Sequence, residues 1–179
     1  MLTRLVICGG MAVARLAELL YSRRNIDRSG PTAEGRWSRR TFPLIVALHT
    51  AVILGSLFSG RDRPNRLWLS LLLAAQPVRL WVLITLRERW NAHAAVPLEM
   101  QVETGGPYAY LRHPNYSVIA VELATLPLAF GLPRLALLAT VANAALLYVR
   151  IREEEALLGR SPGYREHFAA KPRFIPFLI

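Results

Sequence analysis

Ala129-Phe130-Gly131-Leu132-Pro133-Arg134 lies near the middle of a 33-residue run, Ser117–Val149, that is apolar almost throughout. As one straight helix this run would measure about 50 Å, against a bilayer hydrocarbon core of about 30 Å. It cannot be a single ordinary span. Gly131-Leu132-Pro133 reads as a turn. The run therefore divides into a tight helical hairpin, with one membrane helix expected over Pro114–Phe130 and the next over Pro133–Arg150. Pro114 suits a first helical turn, where its missing N–H costs nothing.

Working outward toward the N-terminus, three further apolar segments have membrane length: Leu2–Tyr21, Phe42–Ser59 and Leu67–Leu86. The first carries Arg15 and Glu18, three residues apart and so able to pair on one helix face. The third is interrupted by Gln76, Pro77 and Arg79, and the proline should kink it. Between spans lie a basic linker, Ser22–Thr41, and a short loop, Gly60–Arg66. Arg87–Asn115 is the longest polar segment, with irregular backbone expected up to about Tyr108. After the hairpin come a charged helix start (Arg152–Leu158), a Ser161-Pro162-Gly163 turn and an aromatic tail, Phe174–Ile179. The expected fold is an all-α integral membrane protein. It has five transmembrane helices, the last two as a tight hairpin, plus a short cytoplasmic C-terminal helix and tail.

Composition agrees. Of 179 residues, 53% are hydrophobic, and mean hydropathy is +0.28. The net charge of +10 sits in short segments between apolar runs. That is how a multi-spanning protein orients itself, so no nucleic-acid partner is expected. The single cysteine, Cys8, excludes an internal disulfide. Ala12-Val13-Ala14 resembles a signal-cleavage site, but Arg15 and Glu18 follow within the same helical pattern, so this is a first membrane helix. With five spans, fifteen of the 22 Lys and Arg fall on one side and five on the other. The richer side, which holds Arg112 and the C-terminus, is therefore cytoplasmic.

That side also carries Gly105-Gly106-Pro107-Tyr108-Ala109-Tyr110-Leu111-Arg112-His113-Pro114-Asn115-Tyr116. The residue before a proline avoids the helical region, so extended backbone is expected through His113. Arg112, His113 and the first N–H groups of the following helix would then form an anion-friendly corner. Tyr108, Tyr110 and Tyr116 can stack on a base or face a cation. The bland alternative is an interfacial belt at headgroup level. A second cluster, Arg150 with Glu153, Glu154 and Glu155, emerges at the same membrane face. Arg150 and Glu154 share a helix face with Asn143 and Leu147; here the alternative is a solvated helix end. Within the bilayer, Glu122 is expected to meet Asn143, either as a helix–helix hydrogen bond or as a functional group. Gln76, Arg15 and Glu18 read as structural, and His49 is left open. No metal is expected.

Gly106-Pro107-Tyr108, Arg112-His113-Pro114-Asn115-Tyr116, the hairpin, Arg150 and Glu154-Glu155-Ala156-Leu157-Leu158 together resemble the isoprenylcysteine carboxyl methyltransferase family. The likeness covers roughly Trp90 to Phe177 and includes Pro172-Arg173-Phe174-Ile175-Pro176. The Arg-His-Pro-x-Tyr element alone also occurs in membrane sterol reductases; the combination is more specific. The resemblance implies a membrane enzyme that takes S-adenosylmethionine from the cytoplasm and a lipophilic acceptor from the bilayer of a bacterial inner membrane. It implies cofactor contacts at Tyr108, His113, Pro114, Asn115, Tyr116 and Glu154. Weaker correspondences add His93 and the stretch Met100, Gln101, Val102 and Glu103. Arg150 would hold the acceptor. Residues 1–86 would be three N-terminal spans and 87–179 the cofactor-binding and catalytic part of one domain. Bacterial relatives of this type methylate hydroxyls of alkylresorcinols and alkylpyrones, so a small lipophilic acceptor is preferred over a prenylated protein. A carboxylate acceptor needs no base; a phenol needs one, with Glu122 or His113 as candidates. The rival readings are an NADPH-dependent lipid reductase, which lacks a Gly-x-Gly-x-x-Gly here, a phospholipid amine methyltransferase, and a non-enzymatic adaptor whose basic linkers bind anionic lipid.

Overall fold

The computed structural model describes residues 1–98 and 102–174. It is mostly helical: α1 (Leu2–Arg28), α2 (Arg36–Ser59), α3 (Arg66–Leu86), α4 (Pro114–Ala129), α5 (Pro133–Leu158) and a short α6 (Tyr164–Phe168). Among the described residues, four helices are long and apolar enough to cross a membrane: α1, α2, α3 and α5. They leave Leu2, Val6, Val13, Leu20, Leu44, Phe58, Leu73, Leu80, Leu137 and Leu138 exposed. A soluble monomer does not expose apolar surface on that scale, and lipid is the solvent that suits it. The protein is an integral membrane protein.

α4 differs from the others. It has 16 residues, about 24 Å of helix, and ten of them are buried. It packs on α3, α5 and α2, so it forms the centre of the bundle. The core gathers Tyr116, Ile119, Leu123, Leu126 and Phe130 with Val52, Leu72 and Leu147. The break between α4 and α5 falls at residues 130–132, and Gly131 takes a left-handed φ of +76° there. A side chain at Gly131 would strike Arg61, whose Cδ lies 2.8 Å from where a Cβ would stand. Arg61 N–H in turn donates to the Phe130 carbonyl at 2.8 Å.

The polar linkers are shorter than the sequence predicts. α1 continues past Tyr21 to Arg28, and α2 begins at Arg36 rather than Phe42. Tertiary contacts supply the reason. Ser22 and Asn25, on the added turns of α1, are buried. Asn25 Nδ2 donates to the carbonyls of Arg87 (3.1 Å) and Trp90 (2.7 Å), and Ser22 Oγ accepts from Ala92 N–H (2.8 Å). Residues 87–92 are thereby fastened to α1. At α2, Gly35 offers no side-chain cap, and a carboxylate from α5 takes that place: Glu153 accepts from the N–H groups of Trp37 (3.0 Å) and Ser38 (2.6 Å). α5 itself runs unbroken to Leu158, so the separate charged helix expected from Arg152 is its last two turns.

Two short strands depart from the all-α expectation. β1 (Thr32–Ala33) pairs antiparallel with β2 (Val96–Pro97), Thr32 opposite Pro97. Two-residue strands carry no periodicity a sequence could reveal. They tie the first linker to the long polar segment beside the site.

Candidate functional site

His113 is the residue from which the site is built. It takes φ −129° and ψ 59°, outside the helical region as a residue before proline must be, though short of the extended backbone expected. Its carbonyl then accepts from the N–H groups of Tyr116 (3.1 Å) and Ser117 (3.2 Å). Two of the donors assigned above to an anion corner are therefore already used. Arg112 is committed as well: Nε donates to the Lys171 carbonyl (2.7 Å) and Nη2 to that of Ala169 (2.9 Å).

These bonds belong to a clasp. The N–H groups of Arg112 and His113 donate to the carbonyls of Pro172 and Arg173, both at 3.0 Å. Arg173 forks onto Glu155 at 2.9 and 2.7 Å, and Glu155 Oε1 also lies 3.1 Å from His113 Nε2. Burial lowers the Lys171 ammonium from its usual value, and its Nζ donates to the Tyr108 carbonyl at 3.0 Å. The chain's end is thus laid back over the segment that starts α4.

Beside the clasp, the two predicted clusters meet. The Tyr116 hydroxyl donates to Glu154 Oε2 and accepts from Arg150 Nε at 2.9 Å. Arg150 also donates to the Ala92 carbonyl, and its guanidinium lies 5.8 Å from the Tyr116 ring centroid. Arg150 and Glu154, one turn apart on α5, are therefore joined through a tyrosine from α4 rather than directly. His113 stacks on Tyr116 with ring centroids 5.3 Å apart. Arg150, at 3% exposure, is a buried cation held through Nε by Tyr116 and through Nη2 by the Ala92 carbonyl.

A cavity of about 400 Å³ runs along this cluster. Val102, Glu103, Tyr108, Arg112, His113, Asn115, Tyr116, Arg150 and Glu154 all line it. Asn115 Oδ1 is buried and has no hydrogen-bond partner among the described residues. Burial, reinforced by the Glu154 charge, raises the Tyr108 phenol far above its ordinary value and keeps it protonated. Gly106, with φ +56°, lets the turn holding Tyr108 sit against Thr85, where any side chain would collide.

Other predicted residues lie elsewhere. Pro114 opens α4 but does not line the cavity. Tyr110 is exposed and tilts against Trp81, so the three expected tyrosines reduce to two. His93 stacks on Phe42 (3.8 Å between centroids), its Nδ1 3.8 Å from Glu34, and is turned out of the cavity wall. Burial lowers its imidazole below the usual range. Glu122 does not line the cavity and does not meet Asn143. It accepts from Gln76 Nε2 at 3.0 Å and lies 3.5 Å from Arg15 Nη1. The sequence places Glu122 two turns along α4, yet only the packing of α1 and α3 decides which groups it faces. Met100 and Gln101 lie outside the described residues.

Several lining residues carry no sequence signal of their own. Ala92 contributes only a carbonyl, in a loop that Asn91 shapes by accepting from His93 N–H (3.1 Å) and Ala95 N–H (3.0 Å). Tyr164 and Phe168 reach the cavity from α6. Arg15, Glu18, Arg79 and His49 line its deep end, although only His49 was left open to function.

A family model described as "Isoprenylcysteine carboxyl methyltransferase (ICMT) family" matches residues 68–160. The uncharacterized protein YpbQ of Bacillus subtilis (strain 168) is 29% identical over 154 residues, covering 83% of this chain and 92% of that protein.

Proposed function

This chain belongs to the isoprenylcysteine carboxyl methyltransferase family, whose model spans more than half of it, and on that premise we propose that it methylates a lipophilic, membrane-resident acceptor with S-adenosylmethionine. The observation that carries this reading is the Tyr116 hydroxyl held between Arg150 and Glu154 in a cavity wall. A buried guanidinium and a carboxylate, fixed side by side, suit an anionic acceptor and a cationic donor respectively.

The donor set fits S-adenosylmethionine. Asn115 has an unused buried acceptor for an amine, Glu154 a carboxylate for a ribose hydroxyl or an ammonium, and His113 and Tyr116 a stacked aromatic wall. When bound, the cofactor supplies an electrophilic methyl on a sulfonium. Arg150 orients the acceptor oxygen and stabilises its negative charge. Tyr116 holds Arg150 in that direction, and the Ala92 carbonyl holds it from the other side. The protonated Tyr108 hydroxyl donates to the ligand rather than taking a proton. For a phenolic acceptor the base is His113, whose Nε2 faces the Glu155 carboxylate; Glu122 is engaged outside the cavity. Positioning and a water-poor wall supply the rate enhancement. The acceptor is a small lipid bearing a hydroxyl or carboxylate. α4 counts as a fifth span, short because it is wrapped by its neighbours. The arginine-rich side, with the clasp, then faces the cytoplasm of a bacterial inner membrane.

Calorimetry on the purified protein tests this. S-adenosylhomocysteine is expected to bind, and Glu154→Gln or Asn115→Ala should weaken it about tenfold, as loss of a buried hydrogen bond does. Tight binding of NADPH in its place would reverse the reading, and binding of neither would leave the adaptor.

A further inference from the structure

Each of α1 to α5 places a polar side chain halfway along its length: Arg15, His49, Gln76, Glu122 and Asn143. Contacts near the helix ends set their levels. Glu153 meets Ser38 at one end of the α2–α5 pair, and Leu135 fits against Gly55 at the other, 2.8 Å from where a Cβ would stand. Interpolation puts Asn143 level with Ala47 and Leu48, next to His49. Arg4 packs against Gly60 at the far ends of α1 and α2, which puts Arg15 level with His49. Gln76, Glu122 and Arg15 are linked directly.

Most of this layer is internally matched. Glu18 takes Arg15 (2.8 Å) and Arg79 Nε (3.0 Å), and His49 Nδ1 lies 2.8 Å from the Ile45 carbonyl. Asn143 differs from the other four in making no side-chain hydrogen bond at all among the described residues. It is 4% exposed and lines the cavity with its carboxamide not sealed off from it. An amide left unpaired inside a bilayer is costly, and a leucine would pack there without that cost.

We infer that Asn143 is a specificity residue that hydrogen-bonds a second polar group of the acceptor, a carbonyl or hydroxyl lying on the order of 10 Å from the methylated atom. This deepens the methyltransferase reading and rests on it. The distance follows from the seven-residue rise from Asn143 to Arg150 on α5. Leu147 and Ile119 line the cavity between the two polar ends. The ligand shape is thus polar, apolar, polar. A plain hydrocarbon tail would leave the Asn143 amide unsatisfied, whereas an oxygenated chain of the kind found in polyketide-type lipids would not.

The test uses two matched lipids, a 4-alkylphenol and the same phenol with a keto or hydroxyl group about 10 Å along its chain. Each is titrated into the full-length protein in nanodiscs with saturating S-adenosylhomocysteine. The oxygenated lipid should bind about tenfold more tightly, and Asn143→Leu should abolish the preference. Asn143→Leu should also leave S-adenosylhomocysteine affinity unchanged and thermal stability equal or higher, since a structural amide would be missed. Equal affinity for the two lipids, or a preference that survives Asn143→Leu, would overturn the inference. Failure of S-adenosylhomocysteine to bind in the control without added phenol would instead overturn the reading beneath it.

Discussion

Two polar clusters occupy the two ends of one cavity, and they solve burial differently. At the clasp end, Tyr116, Arg150, Glu154, His113 and Glu155 share their hydrogen bonds with backbone carbonyls and with Arg173. At the mid-membrane end, charge is balanced by charge: Arg15 and Arg79 against Glu18, with Glu122 behind the cavity wall and 3.5 Å from Arg15. There, Arg15 Nε, Arg79 Nη1 and Glu122 Oε2 are buried without hydrogen-bond partners. The first arrangement fixes directions. The second neutralises charge with charge and leaves some of its polar atoms without a partner. A reacting centre needs the first kind.

Removing one charge from the mid-membrane end should therefore have the largest effect on the fold. Arg79 is 5% exposed, and Glu18 is its carboxylate partner. Arg79→Leu strands Glu18 with Arg15 alone and should destabilise by about 3–5 kcal/mol. The double change Arg79→Leu with Glu18→Leu should recover much of that loss, because an apolar pair in place of a buried ion pair is often neutral. Thermal unfolding of both variants in detergent distinguishes the two. If the double variant is no better than the single, the layer is held by more than charge balance.

At the clasp end the effect should fall on catalysis. Arg150→Ala should lower kcat/KM about 100-fold or more while changing S-adenosylhomocysteine affinity far less. Tyr116→Phe keeps the ring but removes the oxygen that Arg150 and Glu154 share. It should cost about tenfold, as Arg150 loses one of its two fixed partners. Equal losses in both ends' variants, on both measurements, would erase the contrast.

How far these ends could be read in advance differs too. The helix break at residues 130–132 was legible, because Gly131 and Pro133 signal it locally and a bilayer limits span length. The meeting of Tyr116 with Arg150 and Glu154 followed from the short turn, which makes α4 and α5 neighbours. What a span pattern lacks is azimuth. Nothing in α4 alone says that Glu122 faces α1 and α3 instead of Asn143, and nothing in Ser22 or Asn25 says that a distant loop will extend α1. The clasp was hidden for a similar reason: Arg112 and Pro172 pair backbone to backbone across the chain, and backbone bonds leave no mark on residue choice. His93 and Glu122 were misplaced because each is polar in the right stretch but turned to another neighbour.

The smallest predicted effect concerns Glu153, which belongs to neither end and shows how a charge run divides its labour. Of three consecutive glutamates, Glu154 faces the cavity, Glu155 the clasp, and Glu153 the N-terminus of α2. Its carboxylate does for α2 what an N-cap side chain would, accepting from two backbone N–H groups and from Ser38 Oγ at 2.9 Å. Glu153→Ala should cost about 1 kcal/mol in stability, the ordinary value of a lost cap, and leave turnover within about twofold. Gly35→Ala should act at the same place, because its new Cβ would collide with the Glu153 carboxylate. The two changes combined should cost less than their sum, since removing the carboxylate relieves the contacts with Glu153 Oε2 and Cδ, and only the Cβ of residue 153, 2.7 Å from where the new methyl would stand, still crowds it. A fully additive double variant would mean that Glu153 stabilises the protein through something other than the start of α2.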